Sequence, residues 1–440
     1  MYLDDIVTAQ KRGEAKGITS VCSAHPWVLK TILGSNDFHG TAHDLLSKSG
    51  RRSRSRATDV NTPVLIEATC NQVNQLGGYT GMRPADFVTY VRGIAAENNF
   101  LFENVILGGD HLGPSVWQNE FAELAMEKSK TLVRDYVKAG FLKIHLDCSM
   151  RLADDPSGVL NPEIVAQRAA QLAKVAEDSL SQQEWGRGEG GLRYVIGTEV
   201  PVPGGATEHE EGVSVTNVED ARQTIQVTRE AFIREGLESA WERVIAVVVQ
   251  PGVEFGDDFV LPYKPESAQN LSRYIESQSM IYEAHSTDYQ TRKALSDLVR
   301  DHFAILKVGP ALTFAFREAV FALAMIENEL VSKNMRSNLI QVLDNVMLKQ
   351  PEHWEKYYRG VQAEQDFKRK YSLSDRIRYY WPEPEVQNAF TQLMNNLGDK
   401  VLPYSLLSQF VNETDLNAAQ VIELRINKVL SDYLAACEPL

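Results

Sequence analysis

The stretch NVILGGDHLGP (104–114) carries an apolar run straight into Asp110 and His111, held between glycines. An imidazole beside a carboxylate, where the backbone can turn, has the chemistry of a metal ligand next to a general base. Comparable polar endings recur along the chain. One apolar run delivers His25, the next Glu67, Thr69, Asn71 and Gln72, and a later one His145, Asp147 and Ser149. Glu199, then Gln250, then Glu283 with His285 and Asp288, and finally Lys307 close four more. Asp110, His111, Glu199 and His285 are the set best suited to hold a divalent metal and move a proton, with Asp110 and Glu199 as the acid-base pair. Such a site polarises a carbonyl and stabilises an enediolate. Spacing alone leaves a second reading equally open, in which strand-end polar residues bond to one another and orient loops.

Other stretches point to a sugar. TCNQVNQLGGYTGMRP (69–84) is rich in amides, which donate and accept at once and so suit sugar hydroxyls, or equally pin a long loop. Asn71 and Gln72 are therefore expected substrate contacts, joined by Asp147, Glu283 and Lys307. A phosphate is expected at VGPALT (308–313), a Gly-containing turn opening a helix with Lys307 beside it. AHSTDYQT (284–291) has no glycine, which weakens the case for a second phosphate grip. No P-loop or GxGxxG turn occurs, so no nucleotide cofactor is expected. EVPVPGGATEHEEG (199–212) reads as a lid or as a solvated acidic surface.

These residues need a frame that brings their run ends together. Eight Val/Ile/Leu-rich runs begin at 18, 63, 104, 141, 193, 245, 280 and 303, with helical segments such as 84–99, 122–140 and 162–180 between them. Runs apolar almost throughout are strands covered on both faces, and eight strand-helix units predict an α/β protein with a (β/α)8 TIM barrel. The runner-up, an open doubly wound sheet, lacks its Gly-rich first turn. Residues 1–332 are expected to form the barrel, with a polar insertion at about 34–62, and 333–440 a C-terminal helical appendage packed on it. His39 and His43, inside the insertion, are read as exposed loop residues.

Composition sets the outer limits. The 440 residues are 43% hydrophobic and 24% charged, as in soluble globular proteins, and the net charge of -14 opposes a nucleic-acid partner. Four scattered cysteines without zinc-type spacing and the lack of a long apolar run fit a cytoplasmic protein with no membrane partner.

VCSAHPWVL (21–29), the 63–87 stretch, GGDHLGP with Trp117, KIHLDCSM (143–150), IGTEVPVPGG (196–205), YEAHSTDYQT (282–291), ILKVGPALTFAFREA (305–319) and YSLSDRIRYYW (371–381) together carry a resemblance. The chain resembles, over nearly its whole length, the non-catalytic (Z-type) subunits of class II tagatose-1,6-bisphosphate aldolase, also labelled tagatose-6-phosphate kinases. That resemblance implies a barrel supporting a separate catalytic class II aldolase subunit in galactitol, tagatose or N-acetylgalactosamine breakdown. Relatives similar to zinc-dependent keto-sugar epimerases imply an alternative: independent retro-aldol chemistry on a keto-sugar or sugar phosphate. Kinase activity is the third and least supported reading. On the class II aldolase pattern, Asp110 falls at the base and His111 at the first metal ligand. Glu199 falls near the acidic residue, His285 near the last histidine, and Gln250 where a further metal histidine stands. The expected cofactor is thus a divalent metal, Zn2+, bound by His111, His285, Glu199 and Gln250, and a homo-oligomer is a possible assembly.

Overall fold

A computed structural model describes residues 1–34, 63–181, 191–197 and 213–438. Residues 35–62, with His39 and His43, and 198–212, with Glu199, lie outside the described residues. Eight parallel strands alternate with helices: β1 (Ile18–Cys22), β2 (Val64–Thr69), β3 (Val105–Leu112), β4 (Lys143–Leu146), β5 (Arg193–Ile196), β6 (Val244–Val248), β7 (Ile281–Ala284) and β8 (Phe303–Val308). They pair in chain order, and β8 closes on β1 through Ile18 opposite Ile305. This is the expected (β/α)8 barrel. All eight residues of β3 are buried, as a strand covered by helices on one face and by the barrel interior on the other must be.

Helix α1 (Tyr2–Lys11) precedes the first strand and plugs the N-terminal mouth. Its Leu3 and Ile6 join one apolar cluster with Ile18, Leu65, Ile106 and Ile281 from inside the barrel. Asp4 on its outer side pairs with Arg193 at 2.5 Å. Burying such a Leu or Ile stabilises by about 1.5–3 kcal/mol, so the plug is held by packing more than by its ion pair. Toward the other mouth the interior becomes ionic: the buried Lys143 ammonium lies 2.6 Å from Glu67 and 2.7 Å from Glu283. Buried ions cost several kcal/mol each when alone, so these three strand residues depend on one another.

The barrel helices are α2 (Pro26–Gly34), α3 (Pro84–Glu97), α4 (Ala122–Ala139), α5 (Pro162–Leu180), α6 (Val218–Arg234), α7 (Pro265–Glu276), α8 (Arg292–Arg300) and α9 (Pro310–Leu330). Five more helices follow: α10 (Leu339–Lys349), α11 (Gln362–Tyr371), α12 (Pro384–Leu397), α13 (Tyr404–Phe410) and α14 (Ala418–Cys437). Their apolar residues, Leu343, Leu393 and Ile426 among them, belong to the same cluster as the barrel wall. The last helix, α14, lies directly on that wall. The Cys437 carbonyl accepts the Gly17 N–H at 2.9 Å, and the Tyr433 hydroxyl donates to the Thr287 carbonyl at 2.7 Å. Gly17 is required here, because a Cβ would sit 2.9 Å from the Ala304 carbonyl. Between α11 and α12 the chain crosses the C-terminal mouth, tied down where Tyr289 donates to the Leu373 carbonyl and Thr313 to the Asp375 carboxylate, both at 2.5 Å. Among the described residues no helix is long and apolar enough to cross a membrane.

A three-imidazole candidate metal centre

At the C-terminal mouth, His111, His145 and His285 form a triangle. Their ring centroids are 5.1, 5.0 and 5.2 Å apart, and all three are buried. One donor atom from each, with one carboxylate oxygen of Asp110, lies within 4.8 Å of the others.

Local backbone features aim these side chains. Along a regular strand Asp110 and His111 would face opposite sides. Here the β3–β4 register shifts between Gly109 and Leu112, and His111 takes a left-handed φ of 49°. Such strain concentrates at functional sites and persists only where the surroundings hold it. The glycines of GGDHLGP answer to crowding: a Cβ on Gly108 would meet the Glu67 side chain at 2.7 Å, and one on Gly113 would lie 1.7 Å from the Asp147 carbonyl oxygen.

Each ring has one nitrogen fixed by a carboxylate. His111 Nδ1 is 2.7 Å from Asp147, His145 Nδ1 2.8 Å from Asp110, and His285 Nε2 3.0 Å from Glu283. Imidazoles held at one nitrogen by a carboxylate are oriented to offer the other to a metal. The remaining nitrogen of His145, Nε2, is buried without a hydrogen-bond partner, as a lone pair kept for a cation would be. The donor set, three imidazoles and a carboxylate oxygen, therefore fits a divalent metal.

The electrostatics differ from ring to ring. Burial lowers the His285 pKa to about 3 despite Glu283, which keeps that ring neutral as a ligand must be. Burial pulls His111 the same way, but Asp110 and Asp147 outweigh it and raise its pKa, so this ring holds a proton that a metal would displace. Burial pushes Asp110 up, yet His111, Lys307 and His145 outweigh it and hold that carboxyl well below its usual range. Lys307 is shared by Asp110 at 2.7 Å, Glu283 at 3.5 Å and Glu67.

A cavity of about 420 Å³ opens above the cluster, lined by Asp110, His111, His285, Lys307, Asn71 and Gln72 on the barrel side. That volume suits a small ligand. Asn71 and Gln72 line this cavity, and the Gln72 side-chain Oε1 also accepts the Thr69 N–H at 2.9 Å. Other expected residues are used differently. Gln250 does not line the cavity: it lies beyond the end of β6, and its side-chain Oε1 accepts the Gly252 and Val253 N–H groups at 2.8 and 3.0 Å. The third imidazole comes instead from His145, one strand along from His111. Asp147 and Glu283 do not line the cavity; they orient His111 and His285. Lys307 reaches the cavity with its ammonium already committed to carboxylates. The turn at VGPALT does not present an open anion site, because Asp288 Oδ1 accepts both the Gly309 and Ala311 N–H groups at 3.0 and 2.8 Å.

Sequence reasoning gives His145 only as a strand-end residue, although the pair His145 and Asp147, two apart at the end of β4, carries the signal. It also misses the opposite wall of the cavity, where Arg378, Tyr379 and Trp381 from the crossing segment stand near His25. His25 packs against Phe316 with the ring centroids 4.1 Å apart and the planes tilted by 51°, and burial lowers its pKa to about 3.

Residues 3–438 match the family model for D-tagatose-1,6-bisphosphate aldolase subunit GatZ/KbaZ-like proteins. The chain is 50% identical to the D-tagatose-1,6-bisphosphate aldolase subunit GatZ of Klebsiella pneumoniae subsp. pneumoniae over 444 aligned residues, 99% of each chain. With the GatZ subunit of Salmonella typhimurium it shares 52% over 411 residues, 93% of this chain and 90% of the other. A crystal structure described as a "probable tagatose 6 phosphate kinase" from Sinorhizobium meliloti superposes with a TM-score of 0.82 at 42% identity, over 96% of this chain and 100% of the other. The strand-end motifs and the barrel they build therefore have one home: the chain belongs to the GatZ/KbaZ-like family of D-tagatose-1,6-bisphosphate aldolase subunits.

Proposed function

We propose that the chain is the Z-type subunit of a D-tagatose-1,6-bisphosphate aldolase, working in the cytoplasm beside a separate catalytic class II aldolase subunit. The observation that carries this reading is 50% identity with a GatZ subunit across 99% of both chains. Co-expression with a class II tagatose-bisphosphate aldolase subunit tests it. The two chains should co-purify, and bisphosphate cleavage per catalytic chain should rise severalfold over the catalytic subunit alone. Equal activity with and without this chain contradicts the proposal.

A second reading, that the chain acts on a keto-sugar or sugar phosphate itself, is favoured by the intact three-imidazole cluster. His111, His145 and His285 would hold the divalent metal. Zinc bound there would polarise a ketose carbonyl and stabilise an enediolate. Asp110, the carboxylate of the cluster that lines the cavity, would move the proton, and Asn71 and Gln72 would meet sugar hydroxyls. The kinase reading has no nucleotide-binding motif in the sequence to carry it. Incubating the purified, zinc-supplemented chain with ketoses, free of any aldolase, tests the second reading. Epimer or cleavage products that vanish in H285A support it, and their absence from the parent protein counts against it.

A further inference from the structure

Three features of the cavity could attract an anion, and two of them are already neutralised by the protein. Lys307 is shared among Asp110, Glu67 and Glu283. The N-terminus of α9, where barrels of this kind commonly seat a phosphate, is capped by Asp288 through two backbone N–H groups. The third feature is Arg378.

Its guanidinium is fixed from behind. Nη1 donates to the carbonyls of Ser374 and, at 3.0 Å, Asp375; Nη2 donates to the Tyr379 hydroxyl at 3.0 Å. Tyr379 is braced in turn by an edge-to-face contact with Tyr79 at 4.7 Å and by His353 stacked at 4.8 Å. Among the described residues no carboxylate lies within ion-pair distance of Arg378, although it lines the cavity. The carboxyls nearest in charge are otherwise engaged: Asp288 caps α9, and Asp375 accepts the Thr313 hydroxyl. The neighbouring Arg376 turns away, its guanidinium 3.0 Å from the Tyr357 ring centroid. A planar cation, preorganised by carbonyls and a phenol and left without a counter-charge, recognises an anionic oxygen group.

We propose that Arg378 is the anion-recognising residue of the barrel-mouth cavity, selecting a keto-sugar with one anionic terminus, a phosphate monoester or a carboxylate. The proposal rests on the reading of this mouth as a keto-sugar site, and it deepens that reading by assigning the ligand's charge to the C-terminal segment. It also assigns only one anion to the cavity, because the helix terminus that would take a second is filled by Asp288.

Calorimetry on the full, zinc-supplemented chain tests it with tagatose, tagatose 6-phosphate and a ketohexuronate. The two anionic sugars, or whichever of them is the ligand class, should bind at least about tenfold tighter than tagatose. Arg378→Gln should bring the ratio of anionic to neutral sugar affinity close to one, and Arg378→Lys should restore part of it. The anion whose advantage is lost identifies the source as phosphate or carboxylate. A second readout needs no variant: inorganic phosphate should weaken binding of the anionic sugar and not of tagatose. An advantage that survives in Arg378→Gln, or equal binding of neutral and anionic sugars to the parent chain, overturns the proposal and leaves the keto-sugar reading standing. Failure of every ketose to bind overturns both.

Discussion

The two walls of the cavity handle charge in opposite ways. On the strand side, three imidazoles lean on three carboxylates, and two lysines balance the acids beneath them, so the unit is closed except toward a cation at its centre. On the side of the crossing segment, Arg378 is held by carbonyls and a phenol and keeps its positive charge open to the cavity. The first wall is built from strand ends around the barrel, the second from a segment far along the chain that packing lays across the mouth. The difference teaches that one end of a ligand can be met by a metal-type centre and the other by a cation, with each end set by a separate part of the sequence.

The largest test of the strand wall is Gly113→Ala. A Cβ 1.7 Å from the Asp147 carbonyl oxygen forces the β3 and β4 ends apart. Overpacking of this kind costs about 3 kcal/mol or more, readable by urea denaturation, and a neutral outcome would show that the two strand ends are not rigidly joined.

The crossing segment has its own test in Asp375→Asn. Burial raises the Asp375 pKa from 3.8 to about 7. The native protein therefore holds that proton more tightly than the unfolded chain. The contribution of Asp375 to the parent's stability is greatest below pH 3.8, declines as pH rises to about 7, and is constant above it. The asparagine variant does not titrate there, and position 375, at φ 48°, suits asparagine. Its stability relative to the parent should grow between those pH values by at most about 4 kcal/mol, measured as melting temperature against pH. A flat difference would place a charged carboxylate in the wall and weaken the contrast between the two sides.

A smaller effect is expected from Asp147→Asn, which removes the charge that orients His111. Zinc affinity should fall about 10- to 100-fold, measured by competition with a chelating dye. The smallest is Tyr79→Leu, which removes the edge-to-face contact bracing Tyr379 and should cost about 0.5–1.5 kcal/mol.

The barrel is legible in the sequence because a strand buried on both faces reads as an uninterrupted Val/Ile/Leu run, and each of the eight runs contains one strand. Asp110, His111 and His285 are legible as polar residues where such runs end. His145 and Gln250 are harder to rank, because spacing does not tell which polar residue still belongs to the sheet. β4 runs through His145 to Leu146, whereas β6 stops at Val248 and leaves Gln250 to cap a loop. The filling of the α9 terminus by Asp288 joins residues more than twenty apart by a side-chain bond that no periodicity announces. Arg378 and Tyr379 lie beyond the barrel in a short 3-10 turn, and only tertiary packing places them on the mouth.

The claim on which the rest depends is that the third imidazole is His145 rather than a residue at position 250. Elemental analysis of the folded chain, saturated with zinc and dialysed free of excess, tests it most directly when the parent, His145→Ala and Gln250→Ala are compared. The account predicts about one zinc ion per chain in the parent and in Gln250→Ala, and almost none in a folded His145→Ala. Zinc retained by His145→Ala, or lost by Gln250→Ala, would contradict it.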